Sequence, residues 1–269
     1  MKKYLVALLL AGVVPAIHAQ RIELGVTGGG MYYMGDLNPE KLFEFTQPAF
    51  GFVYRYNFNN RVAIRSGLLV GNVRGDDLIT QYRVDRGLNF SSDIYEVSVV
   101  GEFNFFDYFT GSSLSYLSPY VFGGVGAFMY NPKAVYRSQT YVLRNQPAEG
   151  VNYTPVSGLL PVSVCFPFGI GVKYSVNDFI GLTLEWGMRK TMTDYIDDVH
   201  GVYPAREYDD NGEKQFYPVY VDPGENYDEG MQRGNSKDND WYGYAGASVV
   251  FRINFRGRAR CDEPERIKF

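Results

Sequence analysis

The chain has 269 residues, a formal net charge of −4 at pH 7, and 30 glycines, 23 tyrosines and 19 phenylalanines. The acidic balance gives no support for a nucleic-acid surface, and two cysteines are too few for a disulfide scaffold. Aromatic residues favour strands and glycine permits tight bends, so the composition predicts an all-β chain with many turns.

The N-terminus has the pattern of a secretory signal peptide. Lys2 and Lys3 precede an uncharged, mainly apolar stretch from position 4 to 17, and Ala19 is a small residue suited to cleavage. That stretch is shorter than the roughly 20 residues of a transmembrane helix. We therefore expect residues 1–19 to be removed, which takes the formal charge from −4 to −6 (−4 − 2). Membrane residence after export would then require a β-barrel.

Alternation of apolar and polar residues with period two predicts eight strands. The alternation is clearest in 50–58, where one face is wholly apolar: Phe50, Phe52, Tyr54, Tyr56 and Phe58. The other predicted strands are 21–27, 61–73, 95–105, 120–130, 168–176, 179–189 and 241–255. Most of these runs approach or exceed the roughly 9–11 residues that a tilted strand needs to cross the hydrocarbon layer.

The predicted connections alternate between short and long. The shorter ones are 59–60, 106–118 and 177–178, and the long polar ones are 28–47, 74–93, 131–160 and 190–240. Outer-membrane barrels have short periplasmic turns and long extracellular loops. We therefore predict an eight-stranded antiparallel transmembrane β-barrel over 20–255, located in the outer membrane, with both termini in the periplasm and a tail over 256–269.

A soluble lipocalin-like barrel or a β-sandwich is the competing architecture. In either one, the same apolar faces would turn inward to form a core. The export signal, the alternation of loop lengths and the aromatic residues at the strand ends favour the membrane barrel, which would be surrounded by lipid.

The polar faces of the predicted strands carry charges of both signs. They would line the barrel interior: Glu23, Arg55, Arg65, Glu96, Glu102, Lys173, Glu185, Arg189 and Arg252. An eight-stranded barrel is only wide enough for its interior to fill with side chains, and buried charges persist only when they are paired. We therefore expect a closed ion-pair network and no general diffusion channel.

Catalytic signals are weak in this sequence. After removal of residues 1–19 the single histidine is His200, so two-histidine metal motifs are excluded. Asp197 and Asp198 beside it could bind a hard cation, but a solvated acidic loop is the favoured interpretation. A lipid hydrolase or acyltransferase centred on His200 is the enzymatic alternative. We predict no enzyme activity, cofactor, metal or small-molecule substrate.

The C-terminal tail is basic and is a candidate partner-binding segment, through Arg256, Arg258, Arg260 and Cys261. Cys165 would lie on the order of 25 Å from the periplasmic rim, given a 3.3 Å rise and a strand tilt near 40°. Cys261 follows the last predicted strand by only six residues, on the periplasmic side. The two thiols should therefore not pair, because a disulfide needs Cα atoms within about 7 Å. The hypothesis is that Cys261 forms an intermolecular disulfide with a periplasmic partner. A reduced or capped thiol is the alternative.

Three stretches resemble a known family: 29–38 (GGMYYMGDLN), 169–174 (GIGVKY) and 193–199 (TDYIDDV). They are similar to the outer-membrane barrels of Bacteroidetes that include PorG, a component of the type IX secretion system, and the resemblance covers nearly all of 20–255. It implies a structural barrel that anchors periplasmic ring proteins, a lipoprotein and its partner, to the outer membrane. The alternative is a surface receptor or adhesin acting through the acidic loop 190–240.

Overall fold

The fold consists of β-strands, and each strand pairs antiparallel with its neighbours in the sheet. The computed structural model describes residues 22–143, 161–205 and 217–253. Within these ranges the strands are β1 (Ile22–Met34), β2 (Gln47–Asn57), β3 (Val62–Asp76), β4 (Asn89–Asn104), β5 (Leu117–Met129), β6 (Pro132–Tyr136), β7 (Gln139–Val142), β8 (Val162–Ser175), β9 (Ile180–Thr191) and β10 (Trp241–Ile253), and the helix is α1 (Asp77–Thr80).

Eight of these strands close into a barrel. β1 pairs with β2 on one side and with β10 on the other, and the β3–β4 pairing completes the ring through β5, β8 and β9. All eight correspond to strands predicted from the sequence, so the eight-stranded antiparallel barrel is confirmed. No helix in the described ranges is both long and apolar enough to span a membrane.

Short and long connections lie at opposite ends of the barrel. At one end, called here the short-turn end, the connections are 58–61, 105–116 and 176–179. Two of them are closed by asparagine side chains: Asn59 Oδ1 accepts from the amides of Arg61 and Val62, and Asn177 Oδ1 accepts from those of Phe179 and Ile180. Such side-chain-to-backbone bonds explain why asparagine suits tight turns. The other end, called the long-loop end, carries 35–46, 77–88, 130–161 and 192–240.

Two elements fall in segments that the sequence predicted as loops. The β6–β7 hairpin lies within 131–160 and extends β4 through the pairing of Ser91 with Lys133. Helix α1 is a single turn whose N-cap, Asp76, accepts a hydrogen bond from the Leu78 amide. Both are too short to give a periodic hydrophobic signal, so alternation could not have revealed them.

The barrel interior has two zones. Towards the long-loop end, inward-facing residues of the strands and the loops above them form an apolar core that includes Met31, Leu69, Phe90, Phe128 and Ile196. Nearer the short-turn end the interior is filled by charged side chains, Arg55 and Glu102 among them, at no more than 2% exposure. The long loops thus cover an apolar zone of the interior, and the charged zone lies between this apolar zone and the short-turn end.

Candidate functional site

The outer wall of the barrel is apolar and exposed. Phe50, Phe52 and Leu184 are 66%, 65% and 63% exposed, and similar side chains surround the barrel on every strand. Leaving such a side chain in water forgoes about 1.5–3 kcal/mol, and soluble monomers rarely expose contiguous apolar patches of this extent. The apolar faces therefore point outward, and the soluble barrel or sandwich, which needs them inside, is excluded. The wall is that of a membrane β-barrel.

Glu102 is the centre of the ionic interior. Its carboxylate contacts three cations: Arg55 Nε at 2.8 Å, Arg65 Nε at 2.7 Å and Lys173 Nζ at 2.6 Å. These side chains come from β2, β3, β4 and β8, so one carboxylate ties together strands from opposite sides of the barrel. A carboxylate paired with several cations in this way is the arrangement that allows ions to stay buried.

The network continues from these cations to the other interior acids. Arg55 Nη1 contacts Glu23 Oε2 at 2.8 Å, and Arg65 Nη1 contacts Glu185 Oε2 at 2.7 Å. A second centre joins Arg189 Nε to Glu96 Oε2 at 3.2 Å, where the Tyr242 hydroxyl also donates. Eight of the nine predicted interior charges are therefore paired with one another, as expected. The ninth, Arg252, lies near the short-turn end and donates to the Thr110 carbonyl at 2.6 Å.

The network leaves little free space. Arg55, Glu102 and Lys173 are 1%, 2% and 0% exposed, so water does not reach them through an open lumen. A cavity of about 30 Å³ lies between Arg65, Glu96 and their neighbours, which is room for about two water molecules. The described side chains thus fill the bore at this level.

The connection 105–116 closes the short-turn end of the barrel, a role that the sequence did not indicate. Tyr108 and Thr110 are buried, and Thr110 Oγ1 donates to Glu23 Oε1 at 2.7 Å. The Gly111 amide donates to Ser175 Oγ at 2.8 Å. This segment, called here the mouth plug, therefore folds into the barrel and joins the ionic network.

At the long-loop end, two of the resembling stretches meet. Tyr33, from 29–38, directs its hydroxyl at Asp197 Oδ2 (2.5 Å), from 193–199, and at Asp240 Oδ1 (2.7 Å). The Ile196 amide donates to Asp240 Oδ2 and the Val199 amide to Asp197 Oδ1. The sequence singled out both stretches but gave no sign that they are in contact, because about 160 residues separate them. We call this cluster the rim lock.

The rim lock requires a shared proton. A phenol hydroxyl has one proton, so it donates to one of the two carboxyls, while both Asp197 and Asp240 are 1% exposed. Burial, reinforced by the charge of Asp36, raises the pKa of Asp197 to about 8. Burial and the charge of Asp197 raise the pKa of Asp240 well above its usual range. The pair therefore retains a proton at neutral pH.

Arg86 ties three loops together beside the rim lock. Its guanidinium Nε and Nη2 each donate to one carboxylate oxygen of Asp77 at 2.7 Å. Nη1 donates to the Arg233 carbonyl at 2.7 Å, and Nη2 donates to the Asp36 carbonyl at 2.9 Å. The first, second and last long loops are thus joined by one buried cation.

The acidic segment around His200 differs from the solvated loop expected there. Asp197 is buried in the rim lock, while His200 Nδ1 lies 2.5 Å from Asp194 Oδ2. The expectation of a solvated loop was wrong for Asp197, because Tyr33 reaches across the rim to bind it. Among the described residues, no group of three or more His, Cys, Asp or Glu side chains has the geometry of a metal site.

The residues predicted for partner binding, Arg256, Arg258, Arg260 and Cys261, lie outside the described residues, as does the predicted signal peptide 1–19. Cys165 is a buried free thiol in β8, ten positions from Ser175 at the short-turn end, and its Sγ lies 3.5 Å from the Tyr242 hydroxyl oxygen. The intermolecular disulfide of Cys261 stays a prediction.

Replacing Glu102 with Gln should strongly destabilise the barrel. The substitution leaves three buried cations without their shared counter-charge, and breaking a buried pair in this way costs about 3–5 kcal/mol. The measurement is the free energy of unfolding in urea in lipid vesicles. Asp107→Asn is the control: its ion pair with Arg61 is 53% exposed on both sides and should contribute at most about 1 kcal/mol. Equal effects of the two substitutions would contradict the central role of Glu102.

The rim lock should open as pH rises. Its closed form binds a proton more tightly than an opened loop, whose aspartates return to the ordinary pKa of 3.8. The stabilisation is therefore complete below about pH 4 and is lost as pH approaches about 8. Hydrogen-exchange protection of the Ile196 and Val199 amides, corrected for intrinsic rates, should fall by up to about tenfold per pH unit between pH 6 and 8.

Asp240→Asn should reduce this pH dependence, because it removes one of the two buried acids whose pKa values are raised. Asp93→Asn alters an acid that is 38% exposed and paired with Lys133, so it should leave the dependence unchanged. Protection that is constant or rises from pH 6 to 9 in the unaltered chain would show that the carboxyls do not share a proton.

Comparison with known proteins places the chain in a family. Among solved structures it is similar to Neisserial surface protein A (9% identity, 86% of this chain and 97% of that one, TM-score 0.43). It is also similar to OprG of Pseudomonas aeruginosa (12%, 87% and 98%, TM-score 0.42) and to a major outer membrane protein of Thermus thermophilus (13%, 86% and 99%, TM-score 0.36). No curated protein sequence matches significantly. The profile of the family described as a domain of unknown function, DUF6089, matches residues 2–213, so the chain belongs to the DUF6089 family.

Proposed function

We propose that this protein is an outer-membrane barrel with a structural role, anchoring the periplasmic ring proteins of the type IX secretion system to the outer membrane. The observation that supports this most is the filled interior. Arg55, Glu102 and Lys173 close the bore, and the mouth plug covers the short-turn end. A barrel that offers no passage to solutes acts through its surfaces. The type of machine is suggested by the resemblance of 29–38 and 193–199 to the PorG-containing barrels.

The short-turn end is the proposed periplasmic face. Ile22 and Ile253 pair with each other there, so the chain leaves the barrel at both ends on that side. The basic tail, with Arg256, Arg258 and Arg260, would then extend into the periplasm towards a ring lipoprotein and its partner. In this proposal Cys261 forms the disulfide with a ring component.

Surface binding is the second candidate function. The segment after β3 exposes four large apolar side chains at the long-loop end: Leu78, Ile79, Tyr82 and Val84, each more than half exposed. By contrast, the described part of loop 190–240 is held down by the rim lock and by Arg86. If the barrel is a receptor or adhesin, the segment 78–84 offers the more accessible surface.

Co-purification tests the anchor directly. An affinity-tagged barrel solubilised in mild detergent should retain the periplasmic ring proteins, and Arg256→Gln, Arg258→Gln and Arg260→Gln together should release them, because the tail then loses the charges proposed to bind. The matched control neutralises three basic residues at the opposite end, Lys41, Arg74 and Lys237.

The control triple variant should retain the ring proteins and support secretion. Recovery of the barrel alone from both the unaltered and the control strains, with secretion intact, would contradict the anchor. If deletion of 78–84 in that case abolished attachment to a surface ligand, the second function would be correct.

A further inference from the structure

The two tryptophans of the chain lie on neighbouring strands of the same wall. Trp186 is in β9 and is 37% exposed. Trp241 is in β10 and is half-buried, and it lies on the same outer face because it pairs with the exposed Lys190. Trp241 pairs across the strands with Lys190, whose Nζ lies 5.5 Å from the centroid of the indole ring. Tryptophan is enriched where apolar wall meets lipid headgroups. The pairing with a cation distinguishes this part of the wall.

The length of β9 indicates how far along the barrel wall Lys190 lies. From Ile180 at the short-turn end of β9, it is ten residues along the strand. A tilted strand advances roughly 2.5 Å per residue along the barrel axis, so Lys190 is about 25 Å from that end. The apolar band of a membrane barrel is also about 25 Å tall. If Ile180 is taken as one edge of that band, the Lys190 ammonium lies near the opposite edge, at the long-loop end.

The surroundings of Lys190 are aromatic. Phe166 pairs with it from β8, and Phe168 makes an edge contact with Trp241 at 6.1 Å between ring centroids. Within the described ranges, no carboxylate oxygen lies within 4 Å of Lys190 Nζ. The outward-facing Lys133, by contrast, has its charge neutralised by Asp93 at 2.7 Å. Among the described side chains, Lys190 therefore has no counter-charge of its own, in contrast to Lys133.

Trp186 lies deeper in the wall and its polar atom is satisfied internally. It precedes Lys190 by four residues, about 10 Å along the axis by the same geometry. Its Nε1 donates to the Tyr32 hydroxyl at 2.8 Å, and that hydroxyl donates to Met188 Sδ. The Tyr32 ring packs over its strand neighbour Gly243, where a Cβ would be 2.1 Å from the ring. Trp186 therefore requires no partner at the headgroup level.

We propose that Lys190, Trp241 and Phe168 bind the phosphate of an anionic membrane lipid, whose acyl chain lies along the apolar wall below them. The inference rests on the membrane placement in the proposed function and specifies which lipid class contacts this wall. The lysine supplies the charge. The indole ring holds the ammonium by a cation–π contact, and the phenylalanine supplies apolar surface for the upper acyl chain.

Brominated lipids test the site, because bromine quenches tryptophan at close range. Trp186→Phe leaves Trp241 as the single reporter in the full chain, refolded into phosphatidylcholine vesicles. A small fraction of brominated phosphatidylglycerol should quench it with a relative binding constant about fivefold above that of brominated phosphatidylcholine, the effect expected of one lysine near an anionic surface. Lys190→Gln should bring this ratio to one, and Lys133→Gln should leave it near five.

A Trp241→Phe variant leaves Trp186 as the single reporter. It distinguishes quenching that depends on depth in the bilayer from quenching that depends on the charge of the lipid. It should be quenched by mid-chain bromines of both lipids to the same extent, since Trp186 lies within the hydrocarbon. Equal quenching of Trp241 by both lipids, or a preference that survives Lys190→Gln, would overturn the anionic-lipid site. Absence of quenching by either lipid in both variants would instead overturn the membrane placement.

Discussion

The structure depends on keeping charges buried inside a wall whose outer face is apolar. Once Phe50, Phe52 and their equivalents face lipid, the alternating positions of every strand face a bore too narrow for bulk water. Polar residues there must find partners within the protein. Glu102 meets this requirement by binding Arg55, Arg65 and Lys173 at once. The shape of the barrel and its lack of a passage follow from the same constraint.

The two ends of the barrel are closed by different chemistry. The mouth plug extends the ionic network, because Thr110 donates to Glu23, an acid already paired with Arg55. The long-loop end is held by the rim lock, in which the Tyr33 hydroxyl lies between the buried carboxyls of Asp197 and Asp240, whose pKa values are raised by burial. The mouth plug is part of the buried ion-pair network, so this closure should be insensitive to mild changes of pH. The second should weaken as pH rises, which would loosen the loops while the barrel remains intact.

Much of this architecture could be predicted from the sequence, because alternation is a local signal. It gave the eight strands, the unequal loops and the set of interior charges, since each of these depends on neighbouring positions along one strand. The contacts of Glu102 with three cations were not predictable, because which side chains meet across the barrel depends on strand register and shear. The rim lock and the mouth plug were missed for a similar reason: Tyr33 and Asp197 meet only in the folded chain, and nothing local marks Thr110 as buried. The tail residues proposed to bind partners remain predictions.

Single-channel recording in planar bilayers tests the filled interior most directly. The purified barrel should show no steady conductance of porin size. A variant in which 106–113 is replaced by a Gly-Ser linker of equal length should also stay closed, because Glu102 and its three cations fill the bore above the mouth plug. Stable open steps of porin size in the unaltered barrel would contradict the account, since ions would then be crossing a bore that these side chains should block.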